Sequence, residues 1–180
     1  NEGDEIIVTD PTFDIYNISV GLMGGKAHKI PFKGQKFDFD GFLAHINDRT
    51  KLIYICNPNN PTGALYPDEL LKKIVDLARE HQLIVFADEI YDKCLYDGVT
   101  HTSMASLAND VLFITMNGLS KNYRSCGYRV GWMVVSGEKK YARDYIVGLD
   151  MLSSMRLCSN VPGQYAIQTA LGGYQSINDL

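Results

Sequence analysis

Four short runs of apolar residues constrain the fold of this chain more than any other feature. They occupy residues 52–56, 83–87, 111–115 and 130–134, and β-branched and aromatic side chains make up much of each run. Their apolar character is nearly continuous rather than alternating. We therefore predict buried strands in a sheet that is covered on both faces.

A helical pattern lies between the first two runs. Pro67 suits the first turn of a helix, and Asp68 and Glu69 are favourable beside the positive end of its dipole. An apolar stripe continues to about residue 81. Strands that alternate with helices are typical of an α/β fold, so we predict a three-layer sandwich with a mainly parallel sheet.

Composition and charge narrow the possible functions. With 180 residues and 46% hydrophobic content, the chain can bury one sizeable core, and no internal domain boundary is expected. The net charge of -4 and the interspersed signs give no basic patch, so nucleic acid is not an expected partner. No apolar run reaches the roughly 18 residues of a membrane span, so no membrane partner is expected either.

The four cysteines form no pattern that indicates a metal site or a disulfide framework. Cys56, Cys94, Cys126 and Cys158 lie far apart, with no C-x-x-C pair and no histidine at zinc-binding spacing. We therefore expect reduced thiols in a cytoplasmic protein, and no bound metal.

Polar residues useful in catalysis follow the predicted strands. Asn60 and Asp88 come soon after two strand ends, and Lys121 and Arg129 lie between the last two strands. Since ligands of parallel sheets bind beyond the carboxyl ends of the strands, we predict a site there. Taken singly, each residue has a simpler interpretation: a surface lysine or arginine, a turn asparagine, or a helix-capping aspartate.

The ordered set of motifs resembles a known enzyme family. It comprises Asn-Pro-Asn-Asn-Pro-Thr-Gly at 57–63, Ala-Asp-Glu-Ile-Tyr-Asp at 87–92, Gly-Leu-Ser-Lys at 118–121 and Gly-x-Arg-x-Gly-Trp at 127–132. In these motifs the chain is similar to the fold-type I, class I/II aminotransferases, which use pyridoxal 5'-phosphate. The segments 154–158 and 170–174 point to the bacterial alanine transaminases within that family.

The resemblance implies a role for each matching residue. Lys121 would condense with the cofactor aldehyde and, once displaced by the substrate amine, carry the proton that leaves the substrate Cα. Asp88 would hold the pyridine nitrogen protonated, so that the ring withdraws electrons. Asn60 and Tyr91 would hydrogen-bond the phenolic oxygen of the cofactor. Adjacent Glu89 is expected to face away, because neighbouring side chains of a strand diverge.

Three further residues would complete the cofactor site. Arg129 would grip the phosphate with its planar guanidinium, and Ser120 would donate its hydroxyl to the same group. Phe13 aligns with the aromatic residue that stacks on the cofactor ring in relatives. Gly118 departs from the family pattern, since many relatives have a phosphate-binding serine three residues before the lysine, so one of the family's phosphate contacts is not expected in this chain.

The resemblance implies an enzyme that moves an amino group between an amino acid and a 2-oxoacid, with alanine and 2-oxoglutarate as the expected pair. Two other functions share the same motifs. One is a different carbanion chemistry on the same cofactor, such as β-elimination or formation of a cyclopropane amino acid. The other is a non-enzymatic sensor domain of a transcriptional regulator.

The resemblance also carries expectations about the limits of the chain. Family members are roughly twice as long, so residues 1–180 are expected to be the central part of the large cofactor-binding domain, without its N-terminal segment and the C-terminal small domain. By itself this piece is expected to bind pyridoxal phosphate weakly at best and to be inactive. The full-length protein is expected to be a homodimer.

Overall fold

The computed structural model describes residues 2–34 and 36–174. Its strands are β1 (Glu5–Asp10), β2 (Lys26–Pro31), β3 (Thr50–Cys56), β4 (Ile84–Asp88), β5 (Phe113–Gly118) and β6 (Gly131–Ser136). Its α-helices are α1 (Ile15–Leu22), α2 (Phe39–Ala44), α3 (Asp68–Glu80), α4 (Arg143–Arg156) and α5 (Val161–Gly172).

All six strands form one sheet in the order β2-β1-β3-β4-β5-β6. The pairings β1–β2, β1–β3, β3–β4 and β4–β5 are parallel, and only β6 runs antiparallel to its neighbour β5. The predicted α/β class and mainly parallel sheet are therefore confirmed.

Helices cover both faces of the sheet and make it the middle of three layers. On one face, Leu71 and Ile74 of α3 and Phe42 of α2 are fully buried in the largest apolar cluster, together with inward residues of the central strands. On the other face, Tyr16 of α1 packs with the first strands, and Tyr145 of α4 packs with the cluster around β5. The predicted three-layer sandwich is confirmed.

Helix α3 follows the predicted helix closely. Pro67 has φ -69° and ψ 150° and precedes the first helical residue, so the helix begins one residue later than the sequence suggested. Asp68 and Glu69 lie in the first turn and Arg79 in the last, as the helix dipole favours.

The prediction of a buried strand at 130–134 was wrong in one respect. The strand exists as β6, but Met133 is 42% exposed and Val134 is 50% exposed. Because β6 is an edge strand, the described residues do not cover its faces as they cover those of β3 and β4. Apolar composition predicted the strand but not its position in the sheet.

A buried carboxylate joins the start of β1 to the segment before β3. The Glu5 side chain is 2% exposed and accepts a hydrogen bond from Asn47 Nδ2 at 2.7 Å. His28 Nε2 and Arg49 Nη2 also contact its carboxylate, at 2.6 and 2.7 Å. The hydrogen bond from Asn47, followed by that from His28, lowers the pKa of Glu5 from 4.5 to about 2.

This shift predicts a loss of stability in acid. Because the pKa of Glu5 is lower in the folded protein, its contribution is complete above the unfolded value of 4.5 and disappears as pH falls towards 2. We expect Glu5→Gln to be less stable than the wild type at neutral pH and the difference to shrink across that acidic range. Urea unfolding at several pH values measures the stability difference at neutral pH and its decrease in acid.

The matched control is Glu80→Gln, since Glu80 is exposed at the end of α3. The free energy of unfolding of this variant should stay close to that of the wild type at every pH. If the difference in free energy of unfolding between Glu5→Gln and the wild type does not change with pH, the charge of the Glu5 carboxylate does not stabilise the fold.

Candidate active site

The direction of the strands brings all the predicted site residues to one edge of the sheet. The parallel strands β1, β3, β4 and β5 all end at this edge, and antiparallel β6 begins there, with Gly131 opposite Gly118. The predicted residues at this edge are Phe13 after β1, Asn60 after β3, Asp88 and Tyr91 at and after the end of β4, Ser120 and Lys121 after β5, and Arg129 before β6.

Asp88 is the last residue of β4, and both of its carboxylate oxygens accept a hydrogen bond. The backbone N–H of Ile90 donates to Oδ1 at 3.2 Å, and the hydroxyl of Tyr16 donates to Oδ2 at 2.5 Å. These two bonds fix the orientation of the carboxylate at the strand end.

Glu89 points to the other face of the sheet, as predicted. Its Oε1 accepts hydrogen bonds from Ser103 Oγ at 3.0 Å and from Met104 N at 2.9 Å. The side chain is buried, and burial raises the pKa of Glu89 above its ordinary value. The two adjacent carboxylates therefore lie in different environments, and only Asp88 is on the face that α1 covers.

Lys121 lies in the turn that follows β5, and its side chain is exposed. The amine Nζ is 5.5 Å from the centre of the Tyr91 ring, which belongs to the turn after β4. The structure therefore brings together two of the predicted residues that are thirty positions apart in the sequence. Ser120, beside the lysine, is half-buried.

Asn122 holds the lysine turn in place, a role that no sequence motif predicted. Its side chain is 1% exposed and donates from Nδ2 to Asp92 Oδ1. Its Oδ1 accepts from Lys93 N and from the Cys94 thiol, each at 3.3 Å. These bonds tie the residue next to Lys121 to the segment that carries Tyr91.

The Asn60 turn is tied to the turn that follows β1. The peptide bonds before Pro58 and Pro61 are both cis. Buried Asn59 accepts a hydrogen bond from Thr12 Oγ1 at 3.2 Å and donates to the carbonyl of Pro11 at 3.1 Å. Asn60, the next residue along the chain, is half-buried.

Phe13 lies in the turn after β1 and Tyr16 in the first turn of α1, and the two rings have different surroundings. Phe13 is 47% exposed, and its ring meets the Tyr16 ring edge-on at 5.8 Å. Tyr16 is 4% exposed and stacks on Tyr54 at 3.8 Å. The sequence singled out Phe13 and missed the bond from Tyr16 to Asp88.

Arg129 adopts the left-handed backbone conformation, with φ 53° and ψ 46°. This region is uncommon for residues other than glycine, and such conformations cluster at functional sites. The guanidinium is exposed, and its Nη1 donates to the carbonyl of Cys126 at 2.8 Å. The strained backbone is consistent with a binding role for this side chain.

The glycine at position 118 has a structural reason. A Cβ placed there would lie 2.8 Å from the carbonyl oxygen of Val130 and 3.1 Å from the Cα of Gly131. A serine, as in many family members, would therefore require the backbone of β6 to move. Glycine thus allows β5 and β6 to pair closely, but it has no side chain that could contact a ligand.

Other site types lack support in the part of the chain that the structure describes. No group of three or more histidine, cysteine, aspartate or glutamate side chains there could hold a metal ion. Likewise, none of the helices formed by the described residues is long and apolar enough to cross a membrane.

Comparison with known proteins shows the family. Residues 1–179 match the family "Aminotransferase class I and II", so the chain belongs to the class I and II aminotransferases. Enzymes of this family in general depend on pyridoxal phosphate.

Two bacterial relatives are aminotransferases of known name. The chain is 57% identical to the glutamate-pyruvate aminotransferase AlaA of Escherichia coli K12, over 99% of this chain and 45% of the relative. It is 49% identical to the alanine aminotransferase of Mycobacterium tuberculosis, over 100% of this chain and 43% of the relative. The chain thus spans somewhat less than half the length of these proteins.

Solved structures agree with the fold. An aminotransferase from Escherichia coli superposes with a TM-score of 0.95 at 57% identity, over 99% of this chain and 45% of that one. An alanine aminotransferase from Pyrococcus furiosus superposes with a TM-score of 0.91 at 40% identity, over 97% of this chain and 45% of that one.

The crowding at Gly118 gives a prediction about stability. Gly118→Ala should lower the free energy of unfolding by about 1–3 kcal/mol, since the added methyl group meets backbone rather than a movable side chain. Gly127→Ala is the matched control, because a Cβ at that position meets nothing within 4 Å. Denaturant unfolding compares the two variants. Equal stabilities would show that β5 and β6 do not pack closely enough at Gly118 to exclude a methyl group.

Proposed function

We propose that the protein is an aminotransferase that moves an amino group between an amino acid and a 2-oxoacid with the help of pyridoxal phosphate. The observation that carries the proposal is the shared location of Lys121, Asp88 and Arg129. An amine, a carboxylate and a guanidinium from three different segments lie at one edge of the sheet of a class I and II aminotransferase.

The donor set fits pyridoxal phosphate. The exposed amine of Lys121 can condense with an aldehyde. The fixed carboxylate of Asp88 can form an ion pair with a protonated pyridine nitrogen. The exposed guanidinium of Arg129 suits a phosphate. When bound, the cofactor supplies an electron-withdrawing ring that stabilises negative charge on the substrate Cα.

The chain's own residues would perform distinct tasks. Lys121 Nζ would take the proton from the substrate Cα and deliver it to the aldehyde-derived carbon of the cofactor, and it would carry out the reverse transfer with the second substrate. Asp88 keeps a proton on the ring nitrogen by its negative charge. Asn60 and Tyr91 donate hydrogen bonds to the phenolic oxygen of the cofactor, and Tyr91 already lies close to the lysine amine.

The remaining residues would orient the cofactor. Arg129 and Ser120 would hold the phosphate, and Phe13, whose ring is exposed, would pack against the pyridine. A cofactor held at both ends and on one face keeps the reacting bond in a fixed direction, which lowers the entropic part of the barrier.

Alanine with 2-oxoglutarate is the proposed substrate pair. The names of the relatives support it, because the Escherichia coli protein is a glutamate-pyruvate aminotransferase and the Mycobacterium tuberculosis protein is an alanine aminotransferase. Residues 1–180 are proposed to be the central part of the large cofactor-binding domain. The match to 45% of the length of the Escherichia coli relative supports the view that these residues are part of a longer protein.

The proposal includes a cytoplasmic homodimer as the full-length protein. The four cysteines are free thiols, which fits a reducing compartment. Apolar side chains of α4 are exposed, among them Met151 at 63% and Met155 at 79%. Exposed apolar residues on one helix are typical of surfaces that associate.

A product assay tests the proposed reaction. The full-length protein with pyridoxal phosphate, alanine and 2-oxoglutarate should form pyruvate and glutamate in equal amounts. Cysteine or another β-substituted amino acid should release no ammonia. Ammonia release without glutamate formation would show elimination chemistry and contradict the proposal.

Lys121→Ala should abolish turnover in the full-length protein and remove the visible absorbance of the lysine-bound cofactor. The reason is that the amine both binds the aldehyde and carries the proton. Absorption spectra and the product assay measure the two effects. Lys93→Ala is the control, because Lys93 is exposed in the neighbouring turn and should be dispensable. Turnover retained in Lys121→Ala would contradict its assignment.

Asp88→Asn should leave the lysine-bound absorbance but slow turnover by about 100-fold or more, because the charge partner of the ring nitrogen is lost. Glu89→Gln makes the same chemical change one residue further on, on the opposite face of the sheet, and should keep most of the activity. Steady-state kinetics compare the two. Equal effects of both changes would remove the basis for choosing Asp88.

A further inference from the structure

Tyr16 makes a contact that the reaction described above does not use. This inference rests on the proposed function. The Tyr16 hydroxyl donates to Asp88 Oδ2 at 2.5 Å, although the two residues are 72 positions apart in the sequence. Tyr16 belongs to α1 and Asp88 to β4, so the bond connects a helix of the outer layer to the end of a central strand.

The ring of Tyr16 is held on two sides. It stacks on the Tyr54 ring with centroids 3.8 Å apart and an interplanar angle of 19°. The Phe13 ring meets it edge-on, at 5.8 Å and 89°. Tyr54 in turn packs against Phe86 at 5.1 Å. With its ring fixed in this stack and 4% exposed, Tyr16 keeps its hydroxyl directed at the carboxylate.

The neighbouring tyrosine does not make the same contact. The Tyr54 hydroxyl instead lies 3.8 Å from the sulfur of Met116. The stack therefore contains two phenols, Tyr16 buried and Tyr54 half-buried, but of these two only Tyr16 donates to Asp88. This difference supplies a matched control within the same structure.

The donor role of Tyr16 is secured by its surroundings. Burial raises the pKa of Tyr16 far above its ordinary value, and the negative charge of Asp88 opposes its ionisation further. The phenol therefore stays protonated and remains a donor. A hydroxyl that donates to a carboxylate makes a short, charge-assisted hydrogen bond.

We propose that Tyr16 is a positioning residue that holds the Asp88 carboxylate ionised and oriented towards a protonated pyridine nitrogen. A carboxylate has about four lone-pair sites, so Asp88 accepts from Tyr16, from Ile90 N and from the ring nitrogen at the same time. The hydrogen bond favours the charged form of the carboxylate, which is the form that pairs with the ring nitrogen. Tyr16 itself touches Asp88 rather than the reacting atoms.

The test compares binding of two cofactors to the full-length protein without substrate. One is pyridoxal phosphate, and the other is its analogue with carbon in place of the ring nitrogen. Tyr16→Phe should weaken pyridoxal phosphate binding by about tenfold, because a hydrogen bond to a charged group is lost. It should change the affinity for the analogue by less than about twofold, because the analogue has no nitrogen for Asp88 to hold.

The control Tyr54→Phe removes the other hydroxyl of the stack and should leave both affinities unchanged. In an Asp88→Asn background, Tyr16→Phe should have no further effect on pyridoxal phosphate binding. Equal weakening of both cofactors by Tyr16→Phe, including complete loss through misfolding, would assign Tyr16 a purely structural role and overturn the inference. Unchanged affinity for both would overturn it as well.

The same measurements separate this inference from the proposed function. If the wild-type protein binds pyridoxal phosphate no better than the analogue, then Asp88 does not pair with the ring nitrogen and the proposed function fails at that residue. If the wild type discriminates between the two and Tyr16→Phe discriminates equally well, the proposed function stands and the role of Tyr16 fails.

Discussion

Parallel pairing of the strands determines where the candidate site residues lie in this fold. Four parallel strands, β1, β3, β4 and β5, end at one edge of the sheet, and each is followed by a segment with a candidate site residue. The strands themselves are apolar because helices cover both faces, so their ends are the first positions where polar side chains reach open space. The antiparallel β6 adds Arg129 at the same edge because it begins where β5 ends.

The edge is organised by hydrogen bonds between turns that are far apart in the sequence. Asn59 joins the turn after β3 to the turn after β1, and Asn122 joins the lysine turn to the segment after β4. Tyr16 joins α1 to the carboxylate of Asp88. Each of these side chains is almost completely buried. Its hydrogen bond restricts the conformation of the two segments that it joins.

The two adjacent carboxylates show how the strand alternation separates roles. Asp88 lies on the face of α1 and accepts from a phenol and a backbone N–H, whereas Glu89 lies on the opposite face and is bonded to Ser103 and Met104. A single step along the chain thus separates a residue of the candidate site from one that supports the fold.

Much of this was predictable from the sequence. The apolar runs determined the fold class, and the motif order placed Asn60, Asp88, Lys121 and Arg129 at strand ends, because strand direction in an α/β fold follows from the alternation of elements. The exposure of β6 was not predictable, since a run of apolar residues reads the same in the middle of a sheet as at its edge. The Tyr16–Asp88 bond was also missed, because no local pattern links side chains 72 residues apart. The reason for glycine at 118 depends on the distance to Val130, which only the folded sheet defines.

Chemical trapping shows directly whether Lys121 is the residue that binds the cofactor. Borohydride treatment of the full-length protein with bound pyridoxal phosphate converts a carbon–nitrogen double bond between cofactor and lysine into a stable single bond. Digestion and mass spectrometry then identify the modified residue. We predict that the cofactor mass is found on the peptide that contains Lys121. Modification of a different lysine, or of none in a protein that is catalytically active, would contradict this account.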